Sequence, residues 1–381
     1  MGGPPRAARI PLRIPGMLDR VPRTRQALEE GIRDRLHLGS QLYVSRSGEV
    51  MADGAMGEDR PGVPLTRDHL MLWLSSTKPV AAVALAQLWE RGRLELDDPV
   101  ARHIPEFAAN GKERITLRHL LTHTAGIRML DTGWPRDPWD VIVARICAMK
   151  PEPRWVPGEK AGYHQASSWF ILGEVVRRVD GRPFDRYVRE EVFEPLGMVD
   201  SWVGMPRDRY LSYKKAGRIG AMWNTEKAGP EPHVWDTEER CVTVQPGGNG
   251  YGPMRELGRF YEMLLAHGME VISPQSVEAL TARHRVGMMD STFKHVLDWG
   301  LGFIANSALY GAETAPYAYG HHASRRAFGH SGFRSSVAFA DPEHGLAVAL
   351  VFNGTPSNAA HERRIRAVLD ALYEDLGLVP D

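Results

Sequence analysis

"LWLSSTKPVAAVALAQLWERG", residues 72–92, joins a polar Ser-Ser-Thr-Lys turn to a long apolar run. The run has the composition of a long apolar helix. Pro79 fits the first turn of that helix, because proline is tolerated at the start of a helix and breaks it further in. The stretch therefore predicts a helix that begins near Ser75, with Ser75 and Lys78 three positions apart on one face.

The position of Ser75 at a helix start affects its chemistry. Free backbone N–H groups and the positive end of the helix dipole favour negative charge that develops there. A serine hydroxyl is a poor nucleophile until a base removes its proton. A lysine within hydrogen-bond reach can do this once desolvation or another cation lowers its pKa. The tetrapeptide alone leaves a second interpretation open, in which Ser75 only caps the helix and Lys78 is solvated.

The two ends of the chain carry similar elements. Residues 22–37 place Leu28 and Ile32 on one helical face, and two short apolar runs around a Ser-Gly turn follow as a predicted β-hairpin. Near the other end, two predicted strands flank a turn at residues 341–345, and a helix with an apolar stripe follows them. We therefore expect the termini to meet in one antiparallel sheet flanked by helices.

The middle of the chain, about residues 79–290, is dominated by helical patterns that loops rich in Gly, Pro and Trp separate. We interpret it as a mostly helical domain inserted between two halves of an α/β domain, residues 1–78 and 291–381. A length of 381 residues allows one large domain or two of ordinary size.

Composition and charge argue against several classes of function. Lys plus Arg and Asp plus Glu both number 47, so no net charge attracts the chain to nucleic acid or to an anionic membrane. No apolar run reaches the length of a membrane-spanning helix, and the proline-interrupted N-terminus lacks the apolar run of a secretory signal. Cys147 and Cys241 lie far apart without metal-like spacing, which favours free thiols in a reducing compartment. These features predict a soluble, cytoplasmic protein without a nucleic-acid or membrane partner.

Further motifs follow the Ser75 helix in a fixed order. Each is weak by itself, and together they are specific. They are LLTHTAG at 120–126, WVPG at 155–158 leading to Tyr163 in a loop before a helix, EPLGM at 194–198, and Gly329-His330-Ser331-Gly332 before a predicted strand.

In this order, the motifs resemble the serine β-lactamase and penicillin-binding-protein superfamily, most of all its class C-like esterases, the family VIII carboxylesterases. The resemblance covers about residues 25–375. It implies a β-lactamase/DD-peptidase-like α+β fold, in which an antiparallel sheet flanked by N- and C-terminal helices joins a mostly helical domain. It also implies an active site at the interface of the two domains, and a carboxylesterase that cleaves small or medium esters without a cofactor or metal.

Carried over to this sequence, the resemblance assigns roles to individual residues. Ser75 corresponds to the acylated nucleophile and Lys78 to its partner in deprotonation. Tyr163 corresponds to the tyrosine that acts as general base and acid, a role that suits a phenol whose pKa is lowered by one or two cations.

The third motif is predicted to border the same site. His330, Ser331 and Gly332 fall where lactamases and peptidases carry Lys-Thr-Gly, on a strand. This position predicts an oxyanion hole formed by the backbone N–H groups of Ser75 and Phe333. Each such donor is typically worth about 3 kcal/mol of transition-state stabilisation.

Two departures from the lactamase pattern affect the expected substrate. Class C β-lactamases have Tyr-x-Asn at the second motif, whereas here His164 and Gln165 follow Tyr163. Their third motif supplies a lysine for the substrate carboxylate, whereas His330 is largely neutral at pH 7. Both changes favour neutral esters over penicillins or D-Ala-D-Ala peptides. The sequence also lacks a Gly-x-Ser-x-Gly elbow, which disfavours an ordinary α/β-hydrolase.

Other residues invite a functional interpretation. Trp235 and Trp299, with Tyr251, are candidates to line an acyl pocket, although core packing explains many of the ten tryptophans. Gln165 is a further substrate-binding candidate, together with the His330 triplet. The histidine-rich stretch around His321 lacks the spacing of zinc ligands, so we predict no metal site.

The same residues would also support other reactions. If an alcohol outcompetes water, the protein is an acyltransferase, and if the bond is an amide or lactam, it is a D-peptidase or β-lactamase. A non-catalytic homologue that only binds a ligand is disfavoured because all three catalytic residue types are present. The expected partner is a small-molecule ester. The sequence leaves open the natural ester and the oligomeric state, a homo-oligomer included.

Overall fold

Strands and helices are described for residues 18–128, 130–227, 229–312 and 314–379 in a computed structural model of the chain. The first 17 residues of the predicted segment 1–78 lie outside the described residues. The strands are β1 (Gly39–Arg46), β2 (Glu49–Arg60), β3 (Val63–Pro64), β4 (Met71–Leu74), β5 (Trp202–Val203), β6 (Trp223–Asn224), β7 (Glu231–Pro232), β8 (Gly250–Gly252), β9 (Met289–Asp290), β10 (His295–Val296), β11 (Ile304–Ala305), β12 (Phe328–Ser331), β13 (Ser336–Asp341), β14 (Leu346–Phe352) and β15 (Gly354–Thr355). The helices are α1 (Pro22–Arg33), α2 (Lys78–Glu90), α3 (Val100–His103), α4 (Leu117–Leu121), α5 (Trp139–Ala148), α6 (Ser167–Asp180), α7 (Phe184–Val188), α8 (Arg207–Lys215), α9 (Glu238–Val242), α10 (Met254–Leu265), α11 (Pro274–Thr281) and α12 (Asn358–Asp375).

The largest sheet joins the two ends of the chain. Within the described ranges it has seven strands in the order β11-β12-β13-β14-β1-β2-β3, and each neighbouring pair is antiparallel. Strand β1 from the first hairpin pairs with β14 from the last one, so that Ser40 lies opposite Phe352 and Arg46 opposite Leu346. Every residue of β14 is buried, because helices cover both faces of the sheet, and its sequence LAVALVF is accordingly apolar throughout.

Helices α1 and α12 cover one face of this sheet. Leu28 of α1 and Leu372 of α12 pack in one cluster with Leu350 of β14. The two helices are also tied by a hydrogen bond of 2.8 Å, in which the Thr24 N–H donates to the Asp375 carboxylate. The predicted α+β fold, with terminal helices flanking an antiparallel sheet, is confirmed.

The opposite face of the sheet packs against α10 and the helices beyond it. Helix α10 contacts β1, β13 and β14, and Gly258 permits the close approach because a Cβ atom there would overlap the Tyr43 ring. One apolar core joins Ala349 of the sheet to Val83 of α2 and Phe170 of α6. Helix α10 lies within residues 79–290, the segment predicted to form the helical domain, but it packs directly on the sheet.

Asn353 is a buried polar residue at the junction of three chain segments. Its Oδ1 accepts the N–H groups of Leu38 and Gly39 at 3.0 and 2.8 Å, and its Nδ2 donates to the Glu58 carbonyl at 2.8 Å. We expect Asn353→Ala to lower the free energy of unfolding by about 2–4 kcal/mol, because it leaves buried backbone groups unpaired. Urea denaturation checks this, with the exposed Gln26→Ala in α1 as a control that changes stability by less than about 0.5 kcal/mol. Equal stability of the two variants would contradict the prediction.

Candidate active site

Ser75 lies on a short turn between β4 and α2. Residues Ser75–Thr77 form a 3₁₀ turn, so the α-helix itself begins at Lys78. Leu74, just before the turn, has φ 50° and ψ −135°, a backbone conformation that residues other than glycine rarely adopt. Thr77 holds the turn in place, because its Oγ1 donates to the Leu74 carbonyl at 2.6 Å and accepts the Gly250 N–H at 2.9 Å. Strand β8 therefore fixes a strained segment that positions Ser75.

Three of the predicted residues meet at the Ser75 hydroxyl. The Tyr163 hydroxyl lies 2.7 Å from Ser75 Oγ, and Lys78 Nζ lies 3.1 Å from the same atom. Lys78 also donates to the backbone carbonyls of Gln165 at 3.0 Å and of Gly247 at 2.7 Å. The structure thus brings the predicted nucleophile and Lys78, which share one segment, together with Tyr163, which lies 88 positions further along the chain.

Lys78 is completely buried, and its hydrogen-bond partners in the described chain are a hydroxyl and two carbonyls, with no carboxylate among them. Burial lowers the pKa of Lys78 well below its usual value, because desolvation disfavours the charged ammonium. A lower pKa widens the pH range over which the Lys78 amine is neutral, and a neutral amine can accept a proton from Ser75.

The pKa of Tyr163 is shifted upwards, opposite to that of Lys78, and this corrects the expectation from the sequence. Burial raises the pKa of the Tyr163 phenol well above its usual value, the Asp290 carboxylate raises it further, and the hydrogen bond with Ser75 opposes both effects. We expected neighbouring cations to lower this pKa. Because Lys78 is itself driven towards its neutral form, it supplies no fixed positive charge, and the phenol keeps its proton.

The third motif lies on β12, next to the Ser75 turn. Ser76, adjacent to Ser75, accounts for this contact: its Oγ donates to the His330 carbonyl at 3.2 Å and lies 3.0 Å from Ser336 Oγ. Gly332 is equally close, since a Cβ atom there would lie 2.7 Å from the Trp73 carbonyl oxygen and 2.7 Å from Leu74 Cβ. The end of β12 is therefore held against the backbone that precedes Ser75.

The two residues whose backbone N–H groups are predicted to form an oxyanion hole each follow a residue of this contact, Ser75 after Leu74 and Phe333 after Gly332. Among the described residues, neither the Ser75 N–H nor the Phe333 N–H has a hydrogen-bond acceptor. The Gly332 N–H, one residue earlier, is used by the Ser336 carbonyl at 2.8 Å, which fixes the local backbone. Two uncommitted backbone donors are suited to binding a developing negative charge.

His330 is a buried, neutral imidazole. Its Nδ1 lies 2.9 Å from the Ser331 carbonyl, so that nitrogen carries the proton and Nε2 is an acceptor. Burial lowers the pKa of His330 to about 3. Its ring lies among aromatic neighbours, 6.1 Å from the Tyr163 ring and 5.6 Å from the Trp299 ring. The third motif of this chain thus presents no cation at neutral pH.

The predicted pocket residues divide into two groups. Trp299 and Tyr251 are fully buried, so neither offers a surface to an acyl group, which corrects the suggestion from the sequence. Trp299 packs behind Tyr163 at 5.9 Å, and Tyr251 on β8 donates its hydroxyl to the Trp235 carbonyl. Trp235 is only partly buried and stacks on His233 at 3.9 Å. Gln165 has an exposed side chain, and the contact that it makes to the site is through its backbone carbonyl.

Some contributors to the site carried no clear sequence signal. Gly247 supplies a carbonyl to Lys78, and a Cβ atom there would clash with the Trp169 ring, which explains a glycine at this position. The glycine-rich stretch 247–252 stands out in the sequence, but nothing in the sequence indicates that it contacts Lys78. No motif in the sequence indicates Asp290, whose carboxylate accepts the Tyr163 N–H at 3.2 Å.

Within the described ranges, no group of three or more His, Cys, Asp or Glu side chains is arranged to hold a metal ion. In the same ranges, no helix combines the length and the apolar composition that crossing a bilayer requires.

The geometry defines a class of protein. A serine hydroxyl between an amine and a phenol, beside two free N–H donors, is suited to attack on a carbonyl carbon. The model of the Beta-lactamase family matches residues 24–373 of the chain. The chain therefore belongs to the β-lactamase family, and it is a serine hydrolase of that family.

Three relatives match most of the length of the chain. Esterase EstB of Burkholderia gladioli is 29% identical over 374 residues, which cover 91% of this chain and 93% of EstB. Penicillin-binding protein 4 of Amycolatopsis lactamdurans is 27% identical over 357 residues, covering 90% of this chain and 88% of that protein. The crystal structure of a family VIII carboxylesterase is 27% identical with a TM-score of 0.78, and the match covers 93% of this chain and 97% of that one.

Proposed function

We propose that this protein is a carboxylesterase that hydrolyses neutral esters through an acyl-enzyme on Ser75. The observation that carries the proposal is the position of Ser75 Oγ, 2.7 Å from the Tyr163 hydroxyl and 3.1 Å from a buried Lys78 amine. Similarity to esterase EstB and to a family VIII carboxylesterase supports the choice of ester substrates.

In the proposed acylation step, Ser75 Oγ attacks the ester carbonyl while neutral Lys78 takes the hydroxyl proton. The N–H groups of Ser75 and Phe333 bind the oxyanion of the tetrahedral intermediate. As the carbon–oxygen bond breaks, Tyr163 gives its proton to the departing alkoxide, which leaves as the alcohol. The proton on Lys78 then passes to the Tyr163 phenolate, so that both groups are neutral again.

Deacylation uses the same groups with water in place of the alcohol. Lys78 accepts a proton from the water molecule as its oxygen attacks the acyl carbon. The oxyanion again binds to the two N–H groups. When the tetrahedral intermediate collapses, Lys78 returns the proton to Ser75 Oγ and the carboxylic acid is released.

The charge of the third motif favours esters over β-lactams and D-peptides. A penicillin or a peptide C-terminus carries a carboxylate, and a fixed ammonium at this motif would bind it better than the neutral His330. Arg334, a cation near the motif, already donates to Asn358 at 2.5 Å and to Glu226 at 3.0 Å. A neutral ester loses nothing by the absence of a fixed charge.

A panel of substrates tests the proposal. We expect turnover of p-nitrophenyl esters from acetate to octanoate, with a kcat/KM on the best of them at least about 100-fold above that on the β-lactam nitrocefin. Nitrocefin hydrolysis that matches or exceeds ester hydrolysis would overturn the argument from His330. A D-alanyl-D-alanine peptide belongs in the panel, because penicillin-binding protein 4 is also a relative. Product analysis with added alcohol distinguishes hydrolysis from acyl transfer.

The protonation states predict a pH profile. Activity requires neutral Lys78 and protonated Tyr163, so kcat/KM rises as Lys78 loses its proton and falls as Tyr163 loses its own. Because the pKa of Lys78 is lowered from 10.5 and that of Tyr163 is raised from 10.0, we expect a broad plateau that extends to about pH 10. Rates on an alkyl ester between pH 5 and 11 check this. A decline that begins near pH 8 would contradict a raised pKa of Tyr163, whereas a rate that rises as Tyr163 ionises would show that the phenolate acts as the base instead.

A further inference from the structure

We propose that the buried ion pair Arg285–Asp290 is a positioning unit that holds Tyr163 in reach of the departing alcohol. This inference rests on the proposed function, because it assumes that Tyr163 protonates the leaving group. The pair lies outside the motifs that led to the site, on the segment between α11 and β11. Neither residue touches Ser75 or Lys78 through a hydrogen bond in the described chain.

Asp290 acts directly on the loop that carries Tyr163. Its Oδ1 accepts three backbone N–H groups, those of Tyr163 at 3.2 Å, Thr292 at 2.8 Å and Phe293 at 3.1 Å. A second link runs the other way, since the Ser291 N–H donates to the Ala161 carbonyl at 2.9 Å. The residues around Tyr163 belong to no helix or long strand, so these bonds take the place of regular secondary structure.

Arg285 fixes the orientation of that carboxylate. Its Nη2 lies 3.1 Å from Asp290 Oδ2, which leaves Oδ1 free for the three N–H groups. Its other donors bind the carbonyls of Thr122 at 3.2 Å and Leu297 at 3.1 Å, so both sides of the guanidinium are committed. The guanidinium also stacks over Trp299 at 5.1 Å, and Trp299 packs 5.9 Å from the Tyr163 ring.

Stability alone is a weak reason for such a pair. Arg285 and Asp290 have side-chain exposures of 1% and 0%, and desolvating two charges costs about as much as their attraction returns. Precise placement of a proton donor is a better reason, because a displacement of about 1 Å in a reacting group can cost about 100-fold in rate. The Asp290 carboxylate also raises the pKa of the Tyr163 phenol, in addition to the larger effect of burial, which helps to keep the proton in place until the alkoxide needs it.

The proposal predicts a defect that depends on the leaving group. Ethoxide is a strong base and must be protonated as it departs, whereas p-nitrophenolate is a stable anion that leaves without a proton. A displaced Tyr163 therefore impairs acylation by ethyl butyrate more than acylation by p-nitrophenyl butyrate, although the acyl group is the same. The ratio of the two kcat/KM values isolates this step, because it does not depend on deacylation or on the fraction of folded protein.

The test compares Asp290→Ala with Asp290→Asn. We expect Asp290→Ala to lower the ratio of kcat/KM for ethyl butyrate over p-nitrophenyl butyrate by about 10- to 100-fold. Asp290→Asn retains an oxygen acceptor for the Tyr163 N–H and should recover most of that ratio. Since Asp290→Ala strands the Arg285 charge, the double variant Arg285→Met/Asp290→Ala provides a neutral alternative if the single variant does not fold.

A matched control is available on the same segment. Arg283 and Asp298 form another ion pair, at 2.7 Å, whose members make no hydrogen bond to Tyr163. We expect Asp298→Ala to lower the thermal midpoint while the substrate ratio stays as in the wild type. An unchanged ratio in Asp290→Ala, or an equal change in Asp298→Ala, would overturn the inference. Tyr163→Phe separates it from the proposed function: if that variant also leaves the ratio unchanged, the proposed role of Tyr163 is wrong as well.

Discussion

Replacing Ser75 with alanine is expected to lower kcat/KM on p-nitrophenyl butyrate by about 10⁴- to 10⁶-fold, the usual range for loss of a serine nucleophile. The reason is that, among the residues that the structure describes, Ser75 alone offers Lys78 and Tyr163 a hydroxyl in hydrogen-bond contact from which an acyl-enzyme could form. Mass spectrometry provides a second measurement. A phosphonate ester should add covalently to Ser75 in the wild type and not at all to the alanine variant.

The neighbouring serine is the matched control for this experiment. Ser76 is buried, and its Oγ is committed to the His330 carbonyl and to Ser336. We expect Ser76→Ala to lower stability by about 1 kcal/mol and to keep covalent labelling of Ser75. If Ser75→Ala retained activity and Ser76→Ala lost it, the nucleophile would be misassigned.

Lys78→Met is expected to lower kcat/KM by about 10²- to 10⁴-fold, the range typical of a lost general base. Methionine nearly preserves the volume of the side chain but cannot accept the Ser75 proton. Lys112 is a suitable control, because it is also buried and donates to the carbonyls of Ala109, Cys147 and Met149 at 2.6, 2.8 and 2.6 Å. Lys112→Met should destabilise the fold by about 1–3 kcal/mol and leave kcat/KM unchanged. Equal losses of activity in both variants would contradict a specific role for Lys78.

The stability of Lys78→Met should also differ from that of the wild type in a pH-dependent way. The pKa of Lys78 is lower in the folded state than its usual value of 10.5, so between the two values the unfolded chain binds the additional proton. As pH falls from about 10.5, protonation of unfolded wild type therefore reduces its stability, and the methionine variant has no such term. In urea unfolding, the free energy of unfolding of the variant relative to that of the wild type should be higher at pH 7 than at pH 10. A difference between the two proteins that does not change with pH would contradict burial of a neutral Lys78.

The sequence by itself determined the parts of this protein that depend on local pattern and on order along the chain. Helical and strand periodicity at both ends predicted a sheet shared by the termini, and the β1–β14 pairing confirms it. The order of short motifs from Ser75 to Gly332 indicated the family. Hydrophobic periodicity and the individual motifs can be recognised without knowing any tertiary contact, because each depends on residues that are close in sequence.

Only the tertiary structure decided the electrostatics and the supporting contacts. Lys78 is held by carbonyls from residues 87 and 169 positions away, and Tyr163 by a carboxylate 127 positions away. The sequence suggested a lowered pKa for Tyr163, whereas burial in the folded chain raises that pKa. The sequence also suggested a pocket lined by Trp299 and Tyr251, but both side chains are buried in the core. The physical reason is that a pKa shift and a buried side chain depend on how completely distant segments exclude water from one group. That packing is a property of the whole core, which no local stretch of sequence specifies.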